Sequence, residues 1–176
     1  YVDSRRLEIT CGEAPYLVSR YDVSTGELIV PPIRRIGILD RKLRIVGENT
    51  NTYEEWLKWT IRAFEASYGY EYQGDNVLIA RINLLLTFTD YYEERWQRKP
   101  DGKLLLQMAN KIAWNIWQMD GLKGTVPLGK PYEEFKQITL FETDSITDED
   151  ETEAVPCRIS DWRSKTSLKF MDLKER

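Results

Sequence analysis

The sequence predicts an α/β fold. Short runs rich in β-branched and aromatic residues, at 5–11 and 70–72, alternate with stretches whose apolar residues recur every three or four positions. Alternation of that kind marks helices layered on a sheet. Two further strand-like runs, 156–161 and 167–170, give the chain a strand-rich carboxyl end.

The first strand, 5–11, ends at Cys11-Gly12, where glycine supplies backbone freedom and lets the chain pass close to a ligand. Residues 15–21 read as a short helix or turn, and Ser24-Thr25-Gly26-Glu27 as a turn between two extended pieces, the second ended by Pro31-Pro32. Residues 36–46 place Ile36, Leu39, Leu43 and Val46 on one helical face. Asn51 or Thr52 caps the next helix, with Glu54 and Glu55 at its positive end. Its stripe is Leu57, Ile61, Phe64 and Tyr68, flanked by Trp56 and Ala63, and Gly69 is expected to stop it. Tyr70-Glu71-Tyr72 follows as a short strand. Asp75 or Asn76 caps a long helix with Leu78, Ile82, Leu85 and Tyr92 in line. Pro100-Asp101-Gly102 breaks it before a third helix, with Leu105, Met108, Ile112 and Ile116 on one side. Gly124, Pro127, Gly129 and Pro131 mark a loop, 137–141 a strand and 142–153 an acidic, solvated loop; 162–166 joins the last two strands as a hairpin.

Composition narrows the chemistry. With 176 residues, 41% of them hydrophobic, the chain can bury a substantial single core, and six Trp, ten Tyr and five Phe favour a packed globule. No apolar run approaches the roughly 18 residues that cross a bilayer, and no secretory signal is visible, so a cytoplasmic protein with no membrane partner is expected. The absence of histidine excludes a histidine-based triad and histidine metal ligands in this chain. Cys11 and Cys157 lack metal-ligand spacing and read as buried thiols, and no metal is expected. A net charge of −4 is wrong for a self-sufficient nucleic-acid binder, so phosphate contacts should come from another part of the protein or from a partner. Because the chain starts on Tyr1, it reads as a piece whose true start lies upstream.

Three segments carry candidate chemistry: the strand and turn from Glu8 to Leu17, the acid Glu71 at the end of a second strand, and Asp120-Gly121 at the end of a third apolar run. A carboxylate at the end of a second strand accepts from ribose hydroxyls, and a following acid can accept from an adenine amino group. The bland readings are a salt bridge for Glu71, a turn cap for Asp120 and a simple chain reversal for Gly12. Asp40, after Ile38-Leu39, competes with Glu71 as the ribose acid, because an insertion separates Gly12 from Glu71.

In order, RRLEITCGEAPYL, YGYEYQGDNVLIARINLL and NIWQMDGLKG resemble the cofactor-binding half of adenine-specific DNA methyltransferases, the methylation subunits of bacterial restriction–modification systems. Glu8, Cys11 and Gly12 match the family's Glu-Pro-x-Cys-Gly-x-Gly turn. Ala80-Arg81-Ile82-Asn83-Leu84-Leu85 matches an Ala-Arg-x-Asn-Leu-Leu run, and Asn115, Ile116, Asp120, Gly121 and Leu122 match a third segment. The resemblance covers most of 5–122. It implies an incomplete class I methyltransferase-like (Rossmann-like) fold with a mainly parallel sheet and flanking helices, 1–176 being the S-adenosylmethionine-binding part. It further implies Glu8, Thr10, Cys11, Gly12, Ala14, Glu71, Tyr72, Asp120, Gly121 and Leu122 as cofactor-binding residues, and DNA as a partner reached through the rest of the parent protein or a specificity or restriction subunit.

The chain departs from the family at Ile9, Ala14 and Pro15; Ala14 is expected to crowd the cofactor's amino-acid end, and Pro15 removes a backbone donor. The family's Asn-Pro-Pro-Tyr catalytic loop is missing, Val30-Pro31-Pro32-Ile33 having neither amide nor ring, so no catalytic residue is assigned and the loop is expected beyond Arg176. As it stands, the chain is expected not to methylate DNA and to self-associate through exposed sheet edges. The rival is a non-catalytic interaction module with a degenerate methyltransferase-like fold. A hydrolase using Glu54 and Glu55 is discounted, since adjacent helical residues do not face each other.

Overall fold

The computed structural model describes residues 1–128 and 155–173, and the chain divides into two compact units, Tyr1–Gln118 and Met119–Arg176. The expected strand at 137–141, the acidic loop 142–153 and the loop markers Gly129 and Pro131 lie outside the described residues.

The first unit is an α/β layer. Its strands β1 (Arg6–Ile9), β2 (Ser67–Glu71) and β3 (Ile116–Gln118) form a three-stranded parallel sheet in the order β1-β2-β3. Helices α1 (Ile38–Asn49), α2 (Tyr53–Glu65), α3 (Gly74–Trp96) and α4 (Gly102–Asn115) flank it in a Rossmann-like arrangement. Glu8 sits opposite Gly69, and Glu71 opposite Gln118. Side chains alternate across a sheet. On one pleat Gly69 meets Cys11 and Ile116, both part of the helix-packed core; the other carries Tyr68, Tyr70 and Trp117, the last two with ring centroids 5.9 Å apart. Among the described residues, β1 and β3 are the sheet edges, and Ile9 on β1 is exposed.

Two helix starts follow the sequence reading. The Thr52 side chain accepts from the Glu55 N–H, and Asp101 from the Leu104 N–H at 2.8 Å. Other boundaries moved. Helix α2 stops at Glu65, and Gly69 lies inside β2 instead of terminating the helix. It is needed there for close approach: a Cβ would fall 2.9 Å from Cys11 Cβ and 3.2 Å from Ile116 Cδ1. Helix α1 starts two residues later than expected, which leaves Ile36 exposed. Gln73, not Asp75 or Asn76, is the N-cap of α3.

The buried face of α3 is also displaced. Val77, Ala80, Leu84, Thr87, Phe88, Tyr91 and Tyr92 point inward, while Leu78 and Ile82 are exposed. Helix α4 buries Leu104, Met108 and Ile112, and Ile116 opens β3. Of the two alternatives expected for 15–21, a short helix or a turn, the structure has a turn over 15–17. An excursion over 19–37 follows, in which Asp22 Oδ1 accepts from the Ser24 and Thr25 N–H groups at the expected turn.

Near the start of the sheet, the buried Lys42 ammonium donates to Ser4 O (2.8 Å), Ala66 O (2.9 Å) and Ser67 Oγ (3.2 Å). Burial, with Arg6 nearby, pulls it down to about 8. The single side chain therefore joins α1 to the lead-ins of two strands.

In the second unit, β4 (Arg158–Asp161) and β5 (Thr166–Lys169) form the expected antiparallel hairpin, with Asp161 opposite Thr166. Gly124 has φ +70°, and a Cβ on it would collide with the Met171 sulfur at 2.4 Å. Cys157 is a buried thiol, as is Cys11 in the first unit, and the two form no disulfide. No helix among the described residues is long and apolar enough to cross a membrane.

Two substitutions test these contacts by urea unfolding. Gly69→Ala is expected to cost about 1–3 kcal/mol by overpacking. Lys42→Met, which removes three buried hydrogen bonds, is expected to cost about 2–3 kcal/mol. Wild-type stability in either variant would refute the corresponding contact.

Candidate functional site

Parallel strands bring their carboxyl ends to one edge, so the loops after β1 and β2 must share space. The Cys11 N–H donates to Tyr70 O at 2.9 Å, carrying the pairing beyond β1. The chain then turns: Gly12 has φ +51°, Ala14 φ +62°, and the Ala14 N–H donates back to Cys11 O at 2.6 Å. That turn leaves the Gly12 N–H pointing at β2, where it donates to Glu71 Oε2 at 2.9 Å.

The other Glu71 oxygen, Oε1, accepts from the N–H groups of Tyr72 (2.9 Å) and Gln73 (3.1 Å). One carboxylate thus satisfies three backbone donors at the end of the sheet, two of them leading into α3. Asn83 on α3 donates to Glu13 O (3.1 Å), and Gln118 at the end of β3 donates to Tyr72 O (2.9 Å). The turn, both strand ends and the first half of α3 are cross-linked. A Cβ placed on Gly12 would meet nothing within 4 Å, so the space over the turn is open.

Two groups beside the turn have shifted ionisation. Both Glu8 carboxyl oxygens are buried and meet no donor at hydrogen-bonding geometry. Burial pushes the group up to about 7, tempered by the nearby Tyr16 and Leu17 peptide groups. Burial, then the charges of Glu8 and Glu71, push the Cys11 thiol up to about 12. Cys11 is therefore neutral at physiological pH and a poor nucleophile.

Of the residues predicted from sequence, Glu8, Thr10, Cys11, Gly12, Ala14, Glu71 and Tyr72 share this end of the first unit; Thr10 and Tyr72 are exposed there. The competing acid, Asp40, lies fully buried in α1, where its Oδ2 accepts from the Ser19 N–H at 2.8 Å. Glu71, not Asp40, meets Gly12. Ala14 is fully buried, and its methyl belongs to the helix-packed core.

Asp120, Gly121 and Leu122 belong to the second unit. Asp120 Oδ1 there accepts from the Leu122 (3.0 Å) and Lys123 (3.1 Å) N–H groups, its N–H donates to Thr125 O, and Leu122 is exposed. Asp120 caps its own turn.

Sequence reasoning gave no role to Gln73, Asn83 or Gln118. Asn83 had a signal, since it falls within the Ala-Arg-x-Asn-Leu-Leu run, and two residues before it Arg81 donates to Ile116 O at 2.8 Å. Among the described residues, no group of three or more His, Cys, Asp or Glu side chains is arranged to hold a metal. No family model matches the sequence, and no significant match was found among curated proteins or solved structures.

The raised Glu8 carboxyl predicts a pH signature. Relative to an ordinary value of 4.5, the folded state holds this proton more tightly. The resulting stabilisation is fully present below about pH 4.5 and is lost as pH rises through about 7. Glu8→Gln is expected to flatten that part of the stability profile, measured by urea midpoints at several pH values. Parallel profiles for variant and wild type would mean that Glu8 is solvated.

Proposed function

We propose that this chain is the S-adenosylmethionine-binding part of an adenine-N6 DNA methyltransferase. The observation that carries the reading is the 2.9 Å hydrogen bond from the Gly12 N–H to Glu71. It joins a glycine turn after one parallel strand to an acid ending the next, which is where nucleoside cofactors bind in open α/β sheets. The ordered resemblance of three sequence segments supports the same assignment.

The residues present suit the cofactor. A carboxylate offers about four acceptor positions, and Glu71 uses three, which leaves one for a ribose hydroxyl. A second ribose contact would displace the Gly12 bond. The open space over Gly12 admits a ligand without a side chain in the way. The unpaired, buried Glu8 carboxyl suits the ammonium of the methionine portion, which would hold it ionised. The cofactor supplies the activated methyl group; these residues bind and orient it, and the base-holding loop is assigned to another part of the protein.

A second reading, a non-catalytic interaction module, draws support from the exposed Leu78 and Ile82 on α3 and Ile9 on β1.

Isothermal titration with S-adenosylmethionine separates the two. Saturable heat is expected, weakened at least about tenfold by Glu71→Ala, with circular dichroism confirming that the variant folds. No heat at millimolar protein, with wild type and Glu71→Ala indistinguishable, would remove the cofactor reading.

A further inference from the structure

The helical layer of the first unit holds a cleft that the cofactor reading does not use. It has a volume of about 300 Å³ and is floored by Leu43 on α1, Trp56 on α2 and Tyr91 on α3. That lies at the lower end of small-molecule sites. All three floor residues are buried, and the Tyr91 hydroxyl donates to Pro32 O at 2.9 Å. Its polar tip is satisfied, so the floor is apolar.

Gly47 forms part of the wall, in the last turn of α1. Glycine costs about 1 kcal/mol within a helix. It does no capping here, because the C-cap is Thr50 in an extended conformation. Nor does packing require it, since a Cβ would meet nothing within 4 Å. What its missing side chain preserves is the cleft.

The half-buried Arg44 borders the same space. Its hydrogen bond, Nη1 to Ile33 O, is a long 3.5 Å, and it has no carboxylate partner among the described residues. A partly desolvated cation beside an apolar floor calls for an anion. Glu48 and Glu94, exposed on the rim, oppose a second negative charge but accept an amine.

We infer that the cleft binds a small, flat, apolar molecule carrying one carboxylate: its body rests on Leu43, Trp56 and Tyr91, and its carboxylate pairs with Arg44. An aryl carboxylate and an aromatic amino acid both fit this class. The site is separate from the Gly12–Glu71 end, so its test stands apart from cofactor binding.

The isotope-labelled 176-residue chain is titrated with phenylpropionate, phenylalanine and phenethylamine, following the Gly47 amide resonance. Both carboxylates are expected to saturate the shift in the millimolar range, with phenethylamine at least about tenfold weaker. Arg44→Gln is expected to weaken the carboxylates about tenfold and leave the amine unchanged. Gly47→Leu should abolish saturation by filling the space, and Gly47→Ala, the milder variant, should weaken it with the helical circular dichroism retained. Absence of a saturable shift, equal binding of amine and carboxylates, or unchanged binding in folded Gly47→Ala and Gly47→Leu would each overturn the inference.

Discussion

The end of the first unit's sheet depends on how one carboxylate is occupied. Backbone N–H groups that leave a strand have no ladder partner and must find an acceptor elsewhere. Glu71 meets this need for Gly12, Tyr72 and Gln73 together. Charged acceptors form stronger hydrogen bonds than neutral ones, so the same group fixes the turn after β1 and the entry into α3. Asn83 and Gln118 then tie neighbouring carbonyls into that framework. The open space over Gly12 is thus bounded by backbone that these bonds hold in place.

A second set of buried polar contacts holds the long excursion between the turn and α1. Asp90 Oδ2 takes the Arg20 guanidinium at 2.6 Å and has Arg35 at 2.7 Å, the latter an ion contact without hydrogen-bond alignment. Ser19 donates its N–H to Asp40, and its Oγ accepts from the N–H groups of Ile36 and Gly37. Tyr91 holds Pro32 from α3. Buried charges cost desolvation that pairing only partly offsets. Their value here is positional: each contact fixes where the excursion leaves and rejoins the helical layer.

Elements whose signal was local were legible in the sequence. Thr52, one of two candidate caps, announced its helix because a capping side chain acts within one turn, the Pro100-Asp101-Gly102 break marked where α4 begins, and the 162–166 hairpin was visible from its two flanking strand-like runs. Gly69 was misread because glycine at the end of an apolar stripe looks the same whether it caps a helix or makes room for Cys11 and Ile116, partners remote in sequence. The face of α3 was misjudged because Leu and Ile occupy several sides of it, while the core chose Ala80 and Thr87, whose small size suits close packing. At the site, the nearness of Gly12 and Glu71 was foreseeable from strand order. The three backbone bonds to Glu71 were not, since they depend on the turn's dihedral angles.

The clamp on the excursion separates its base from its tip. Arg20 and Arg35 are pinned at the base, whereas the reversal around Ser24, Thr25 and Gly26 is exposed and its hydrogen bonds run to its own neighbours. Length added at that hairpin apex is absorbed by solvent and transmits no displacement to the sheet. This makes the apex the natural graft point for a tether, a fluorophore or a lineage-specific extension.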